Sequence, residues 1–258
     1  HETDEMQPSP WNADDRGFPA PTRTLVYDRF TARHLADAGR FDPQSVSVTG
    51  SPRLDDLVRS ARALAPSDRE RVRTGAGATP TERLVVVAAK YTQISRVFRD
   101  LVAAAASIPG VLLVVKCHTA EGPEPYLRDA AGSPSVRIAA AGADLAGLIA
   151  SARLLVTVNS TAAVEAMVLG TPALVVSLPN NLSPFVEAGV MAGVREGDPI
   201  EPALREVLSD ETRREELARR AEGFMRDNDI GSDGAAAARA ARQILDLASP
   251  ADDGEAVC

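Results

Sequence analysis

From residue 83 onward the chain alternates between short unbroken apolar runs and longer stretches with helical spacing. RLVVVAA (83–89), VLLVVK (111–116), LLVTV (154–158) and ALVVS (173–177) carry almost no polar interruption, as strands buried on both faces require. VRIAA (136–140) is a weaker run of the same kind. Between them, residues 95–107 place Val97, Phe98, Leu101 and Val102 on one side of a helix. Further helices are predicted over residues 144–150 and 161–169, then near 203–208, 212–227 and 235–247. Buried strands separated by helices predict an α/β fold, a doubly wound parallel sheet.

The first 82 residues read differently. Residues 1 to about 24 are rich in Pro, Asp and polar side chains and predict loop. A short segment (24–27), a helix (31–38) and the strand SVSVTG ending at Gly50 follow. Ser51-Pro52 then opens a helix, with Ser as cap and Pro in the first turn. Residues 65–80 predict a short helix and a linker. The expected division is therefore 1–66 as the end of an amino-terminal domain with its connector, 67–248 as a nucleotide-binding domain with its closing helices, and 249–258 as a disordered tail. Because the chain opens on His1 in a polar run, more of the amino-terminal domain is expected upstream.

Composition narrows the chemistry. A formal charge of -8 and only 4% aromatic residues argue against a nucleic-acid surface, although a local basic site fits. Two cysteines, Cys117 and Cys258, make no disulfide framework and suit a reducing cytoplasm. Three histidines at 1, 34 and 118 lack metal-ligand spacing, and no cofactor motif such as GxGxxG or GxxxxGK[ST] is present. Of 28 basic residues only Lys90 and Lys116 are lysine, and both follow a predicted strand.

In open parallel sheets ligands sit beyond the carboxyl ends of the strands. Asn159-Ser160-Thr161 follows one such strand and opens a helix, offering backbone N–H groups, two hydroxyls and an amide to a phosphate. Glu165 lies four residues after Thr161 on the same helix face, where a carboxylate suits the paired hydroxyls of a ribose; a capped turn with a solvated Glu is the plainer alternative. Gly170-Thr171-Pro172 reads as a helix stop. Lys116 and His118, two apart at a strand end, suit a diphosphate or the sugar side of a ligand, with Cys117 turned to the core. Lys90 suits a phosphate or acceptor, or a solvated surface. Asn180-Asn181 suits either ligand contact or a turn. Gly50 and Arg53 flank the Ser51 cap, with Arg53 in reach of a cleft.

VTGSPRLDDL, VVKCHTAE, VTVNSTAAVEAMVLGTPALVV and DIGSDGAAAARAARQIL, in that order over residues 45–247, resemble bacterial proteins of the GT-B fold. The groups concerned are UDP-N-acetylglucosamine 2-epimerases, capsule polysaccharide biosynthesis proteins and CDP-glycerol glycerophosphotransferases. The resemblance implies a Rossmann-like carboxyl-terminal half with a remnant of an amino-terminal domain. It implies a nucleotide-diphosphate sugar or similar donor, with Asn159, Ser160 and Thr161 on the diphosphate and Glu165 on the ribose; Lys90, Gly50 and Arg53, by their own places at strand ends, join the expected donor-binding set. Lys116 and His118 are the implied catalytic pair. The epimerases' Gly-Gly pair and second acid are missing at Ser160-Thr161 and Val164, which puts a glycosyltransferase ahead of an epimerase or a non-catalytic nucleotide-binding fragment. Implied too are a glycan or lipid-linked acceptor, a cytoplasmic setting with peripheral membrane contact through the missing domain, and His1 as a remnant of the catalytic side.

Overall fold

The computed structural model describes residues 21–231 and 233–248. The expected roles of His1, the loop over residues 1–20 and the tail 249–258 lie outside the described residues. The chain forms two compact units, one from residues 57–226 and one from 1–56 with 227–258.

In the larger unit six parallel strands form one sheet: β3 (Arg83–Val87), β4 (Val111–Val115), β5 (Val136–Ile138), β6 (Leu154–Thr157), β7 (Ala173–Leu178) and β8 (Ala192–Arg195). Their spatial order is β5-β4-β3-β6-β7-β8. The sheet is doubly wound, as the apolar runs predicted. Successive residues of β3 face opposite cores. Val85 and Val87 pack with Phe98 and Leu101 of α4 (Tyr91–Ser107), whereas Leu84, Val86 and Ala88 pack with Ile149 of α6 (Leu145–Ser151) and Ala162 and Ala166 of α7 (Ala162–Val168). Every one of Leu84 to Val87 is fully buried. An unbroken apolar strand is stable only when covered on both faces, and each such side chain contributes roughly 1.5–3 kcal/mol on burial.

Four elements differ from expectation. The edge strand β8 was not predicted, because Ala192-Gly193-Val194-Arg195 buries only alternate residues and looks like loop. α5 (Glu124–Ala130) and α8 (Ser183–Glu187) hide behind prolines and are only seven and five residues long. α4 begins at Tyr91, four residues before the apolar spacing suggests, because its start is capped by a side chain remote in sequence. The other helices of this unit are α3 (Pro66–Gly75), α9 (Ile200–Ser209) and α10 (Glu211–Asp227), which runs to its boundary, where α2 (Pro52–Arg62) also lies.

The smaller unit holds a parallel pair, β1 (Thr24–Val26) and β2 (Val46–Val48), with α1 (Arg29–Asp37) between them. It also holds α11 (Ala236–Ala248), the last helix of the described residues. The reason is polar. Both carboxylate oxygens of buried Asp55 accept from the start of this helix, from Gly234 N at 3.1 Å and Ala236 N at 3.0 Å. Arg239 donates to Thr49 O at 2.8 Å and pairs with Asp233 at 2.6 Å. Gly50, at φ +79, lies beneath this helix: a Cβ there would come within 2.7 Å of Arg239 and 3.1 Å of Ala236. The positive φ favours glycine there, and Ala236 leaves a Cβ little room. Ser51 is the cap it was expected to be, accepting from Leu54 N at 3.3 Å.

Candidate functional site

The strand order fixes where a ligand edge lies. From β3 the chain moves to β4 on one side, and β6 returns on the other side of β3. That reversal is the topological switch point, where loops diverge and leave a crevice. Two strand-to-helix turns flank it: Ala88-Ala89-Lys90 into α4, and Val158 to Thr161 into α7. They are stitched together, since Ala88 N donates to Val156 O at 3.0 Å and the buried Thr157 hydroxyl to Ala88 O at 2.6 Å.

In the β6–α7 turn the Ser160 hydroxyl accepts from Ala162 N at 3.2 Å, and its carbonyl accepts from Ala163 N at 3.0 Å. Ser160 therefore caps the helix. The N–H groups of Asn159, Ser160 and Thr161 donate to no acceptor among the described residues. Asn159 and Ser160 are half-buried and Thr161 is exposed. α7 is only seven residues long, so these N–H groups and hydroxyls, more than a helix dipole, are what the turn offers an anion. Glu165, one turn on, is 3% exposed among Ala162, Ala163 and Ala166 and does not occupy a solvated face. Gly170 ends α7 at φ +73, with Thr171 N donating to Ala166 O at 2.8 Å, a plain helix stop.

The β3–α4 turn is built differently. Lys90, exposed, is the residue before α4 and gives it no side-chain cap. Instead Glu121, from the loop after β4, accepts from Tyr91 N at 2.7 Å. The Tyr126 hydroxyl donates its proton to Ala89 O at 2.7 Å and lies 3.3 Å from the same Glu121 oxygen. Burial, and then the Glu121 charge, push the Tyr126 phenol well above its ordinary range. Tyr126 also meets Tyr91 and Phe98 edge-on, at 5.1 and 5.4 Å between ring centres. Beside them Asp129 accepts from Tyr91 Oη at 2.5 Å and from Arg99 at 2.9 Å, and these bonds hold its carboxyl down at about 2. Sequence patterning missed Glu121, Tyr126 and Asp129; the TAE after VVKCH was the one available signal.

Lys116 and His118 leave β4, the next strand out, where Lys116 N donates to Val87 O at 2.9 Å. Lys116 Nζ donates to Ala141 O at 2.8 Å, on the loop after β5. His118 is exposed, and its Nδ1 accepts from Ala120 N at 3.2 Å. With strands about 4.8 Å apart, this pair stands roughly 10 Å along the edge from the Asn159 loop, and Lys90 stands between. Cys117 packs against the core, and burial raises its thiol pKa. Asn180 makes turn bonds: its amide donates to Val176 O at 3.2 Å and its oxygen accepts from Leu182 N at 2.9 Å. Gly50 and exposed Arg53 belong to the smaller unit. Among the described residues no group of three or more His, Cys, Asp or Glu side chains could hold a metal ion, and no helix is long and apolar enough to cross a membrane.

No protein-family model matches the chain, and no curated protein matches it in sequence. Solved structures do match it in fold. The UDP-GlcNAc 2-epimerase of Neisseria meningitidis, bound to UDP-GlcNAc, superposes with a TM-score of 0.67 at 14% identity, over 87% of this chain and 62% of that one. WaaG, a glycosyltransferase involved in lipopolysaccharide biosynthesis, gives 0.58 at 17% identity over 88% and 62%. The wall teichoic acid polymerase TagF gives 0.57 at 14% identity over 88% and 55%. The chain thus spans about three fifths of the length of these structures. It has the GT-B-like fold that these transferases and epimerases share.

Proposed function

We propose that this chain binds the nucleotide diphosphate of an activated sugar, or of a CDP-polyol, and serves a glycosyltransferase that builds a cell-surface polysaccharide or glycoconjugate. One observation carries the reading: at the switch point, the β6–α7 turn holds three consecutive N–H groups without an acceptor among the described residues, one turn before the buried Glu165. In this reading Asn159, Ser160 and Thr161 hold the diphosphate, Glu165 takes the ribose hydroxyls, and Lys90 adds a cation from the neighbouring strand end. Lys116 and His118, farther along the edge, face the sugar and the departing oxygen. Lys116, bonded to Ala141 O, offsets negative charge as the diphosphate leaves. Gly50 and Arg53, expected beside the donor, lie in the smaller unit and carry no part of this reading. The acceptor, glycan or lipid-linked, and any contact with the inner face of the membrane fall to parts of a longer enzyme. Epimerisation of a nucleotide sugar is the second reading, favoured by the same diphosphate turn and opposed by Ser160-Thr161 in place of a glycine pair.

Isothermal titration with UDP, CDP and GDP tests the reading, and at least one is expected to bind. Glu165→Ala is expected to weaken that binding by about 10- to 100-fold, the cost of losing charge-assisted hydrogen bonds, with the fold intact. Failure of all three nucleotides to bind, or an unchanged affinity in the folded variant, defeats it.

A further inference from the structure

The segment that carries Lys116 and His118 leaves the sheet as loop, and an exposed histidine on a loop is a poor catalytic group unless something fixes it. Within the segment, Glu121 N donates to His118 O at 2.9 Å and Ala120 N donates to His118 Nδ1 at 3.2 Å, which ties the ring to its own turn. Among the described residues one bond ties this turn to the start of α4. That bond is the Glu121 carboxylate on Tyr91 N at 2.7 Å, backed by the fully buried Tyr126, whose hydroxyl bridges toward Glu121 from its bond to Ala89 O. A charge-assisted bond to the first N–H of a 17-residue helix is a strong and directional anchor.

We infer that Glu121 is a positioning residue: by clamping the 118–121 turn onto the start of α4, it holds the His118 ring with Nδ1 engaged and Nε2 directed away from the turn as the group available to a ligand. The sugar-facing role of His118 rests on the donor reading above. The clamp on the ring does not, so the two can fail separately.

The test is histidine-ring relaxation on the full chain labelled with 13C-histidine, the His118 signals being assigned by their loss in His118→Asn. In the wild-type protein the ring is expected to behave like ordered backbone, with an order parameter of about 0.85, and in Glu121→Ala it is expected to fall below about 0.6. Amide exchange at Ala120 and Glu121 is expected to accelerate at least about tenfold, while Phe98 and Leu101 in the middle of α4 stay protected. Glu121→Gln keeps an oxygen for Tyr91 N and is expected to restore most of the ring order. Should Glu121→Ala not fold, Glu121→Asp replaces it, since the shorter carboxylate cannot reach both Tyr91 and the turn and must loosen the ring likewise. A His118 ring equally ordered in the folded Ala or Asp variant, or equally mobile in the wild type, overturns the proposal. Titration with UDP, CDP and GDP runs alongside: failure of all three to bind the wild type removes the donor reading, and the ring measurement still decides the clamp.

Discussion

The two turns at the switch point each lead from a strand into a helix and are stitched to one another, yet they treat charge in opposite ways. At β3–α4 the helix start is filled by the protein's own anion, Glu121, and the surrounding hydroxyls are committed to Ala89 O and Asp129. At β6–α7 the cap is a neutral hydroxyl, and the N–H groups of Asn159 to Thr161 have no acceptor among the described residues. The 17-residue helix has the stronger dipole, so dipole strength alone would place a phosphate on α4. Occupancy decides against it. A carboxylate already at 2.7 Å from Tyr91 N would repel a second anion by several kcal/mol at an effective dielectric near 20. The weaker helix end therefore becomes the candidate phosphate turn.

The sharpest way to break this contrast is to make the open turn resemble the closed one. Ser160→Asp keeps an oxygen for Ala162 N, so the cap survives and the fold is expected to be as stable as the wild type or slightly more so. The new carboxylate would sit where the diphosphate is proposed to sit. Affinity for UDP, or for whichever nucleoside diphosphate binds best, is expected to fall by on the order of 100-fold, about 2.7 kcal/mol. An affinity within threefold of the wild type by calorimetry would put the phosphate elsewhere.

The closed turn makes a prediction of its own, about acid. Asp129 is held down at about 2, first by its bond from Tyr91 and then by that from Arg99, against an ordinary carboxyl near 3.8. A carboxyl whose pKa is lower in the folded state contributes stability above the unfolded value, and that contribution disappears as pH falls from about 4 toward 2. Melting temperature is expected to drop across that window, and Asp129→Asn is expected to lower it by a few degrees at pH 6 and to flatten the acid slope. The slope will not vanish, because Asp233, bonded to Arg239, is also held at about 2 in the smaller unit. Parallel acid curves for the two proteins would count against the Asp129 cluster as the brace of α4 and α5.

The contrast also explains what could be read from sequence. β3, β4, β6 and β7 were legible because a strand buried on both faces must be apolar at every position, and each lies within two residues of its predicted bounds. The doubly wound order followed from their alternation with helices. The β6–α7 turn was legible for a local reason: cap, turn and Glu165 fall within seven residues. The β3–α4 turn was not, since its cap, Glu121, lies 30 residues away and reaches Tyr91 only through folding. The same holds for Asp55, which caps α11 from 181 residues upstream of Ala236 and assigns that helix to the smaller unit. β8 was lost because an edge strand buries alternate residues, here Ala192 and Val194 only. Local pattern reveals elements, whereas long-range polar bonds reveal where their ends are fixed.

The smallest expected effect separates the two lysines. Both stand after a strand, and composition alone gives them equal standing. The sheet does not: Lys90 follows β3, directly beside β6, while Lys116 follows β4, one strand farther out and bonded to Ala141 O at 2.8 Å. A diphosphate on the β6–α7 turn lies nearer Lys90 by about one strand spacing, roughly 4.8 Å. Lys90→Ala is accordingly expected to weaken binding of a nucleoside diphosphate by about 3- to 10-fold and to reduce its salt dependence, as loss of one exposed cation near an anion does. Lys116→Ala is expected to change that affinity by less than about twofold, because its proposed partner is the sugar side of the donor and the charge formed on departure. Calorimetry with the same nucleotide on both variants, at two salt concentrations, reads the difference. If Lys116→Ala costs more than Lys90→Ala, the diphosphate is held on the β4 side, and the β6–α7 turn loses its claim to the phosphate.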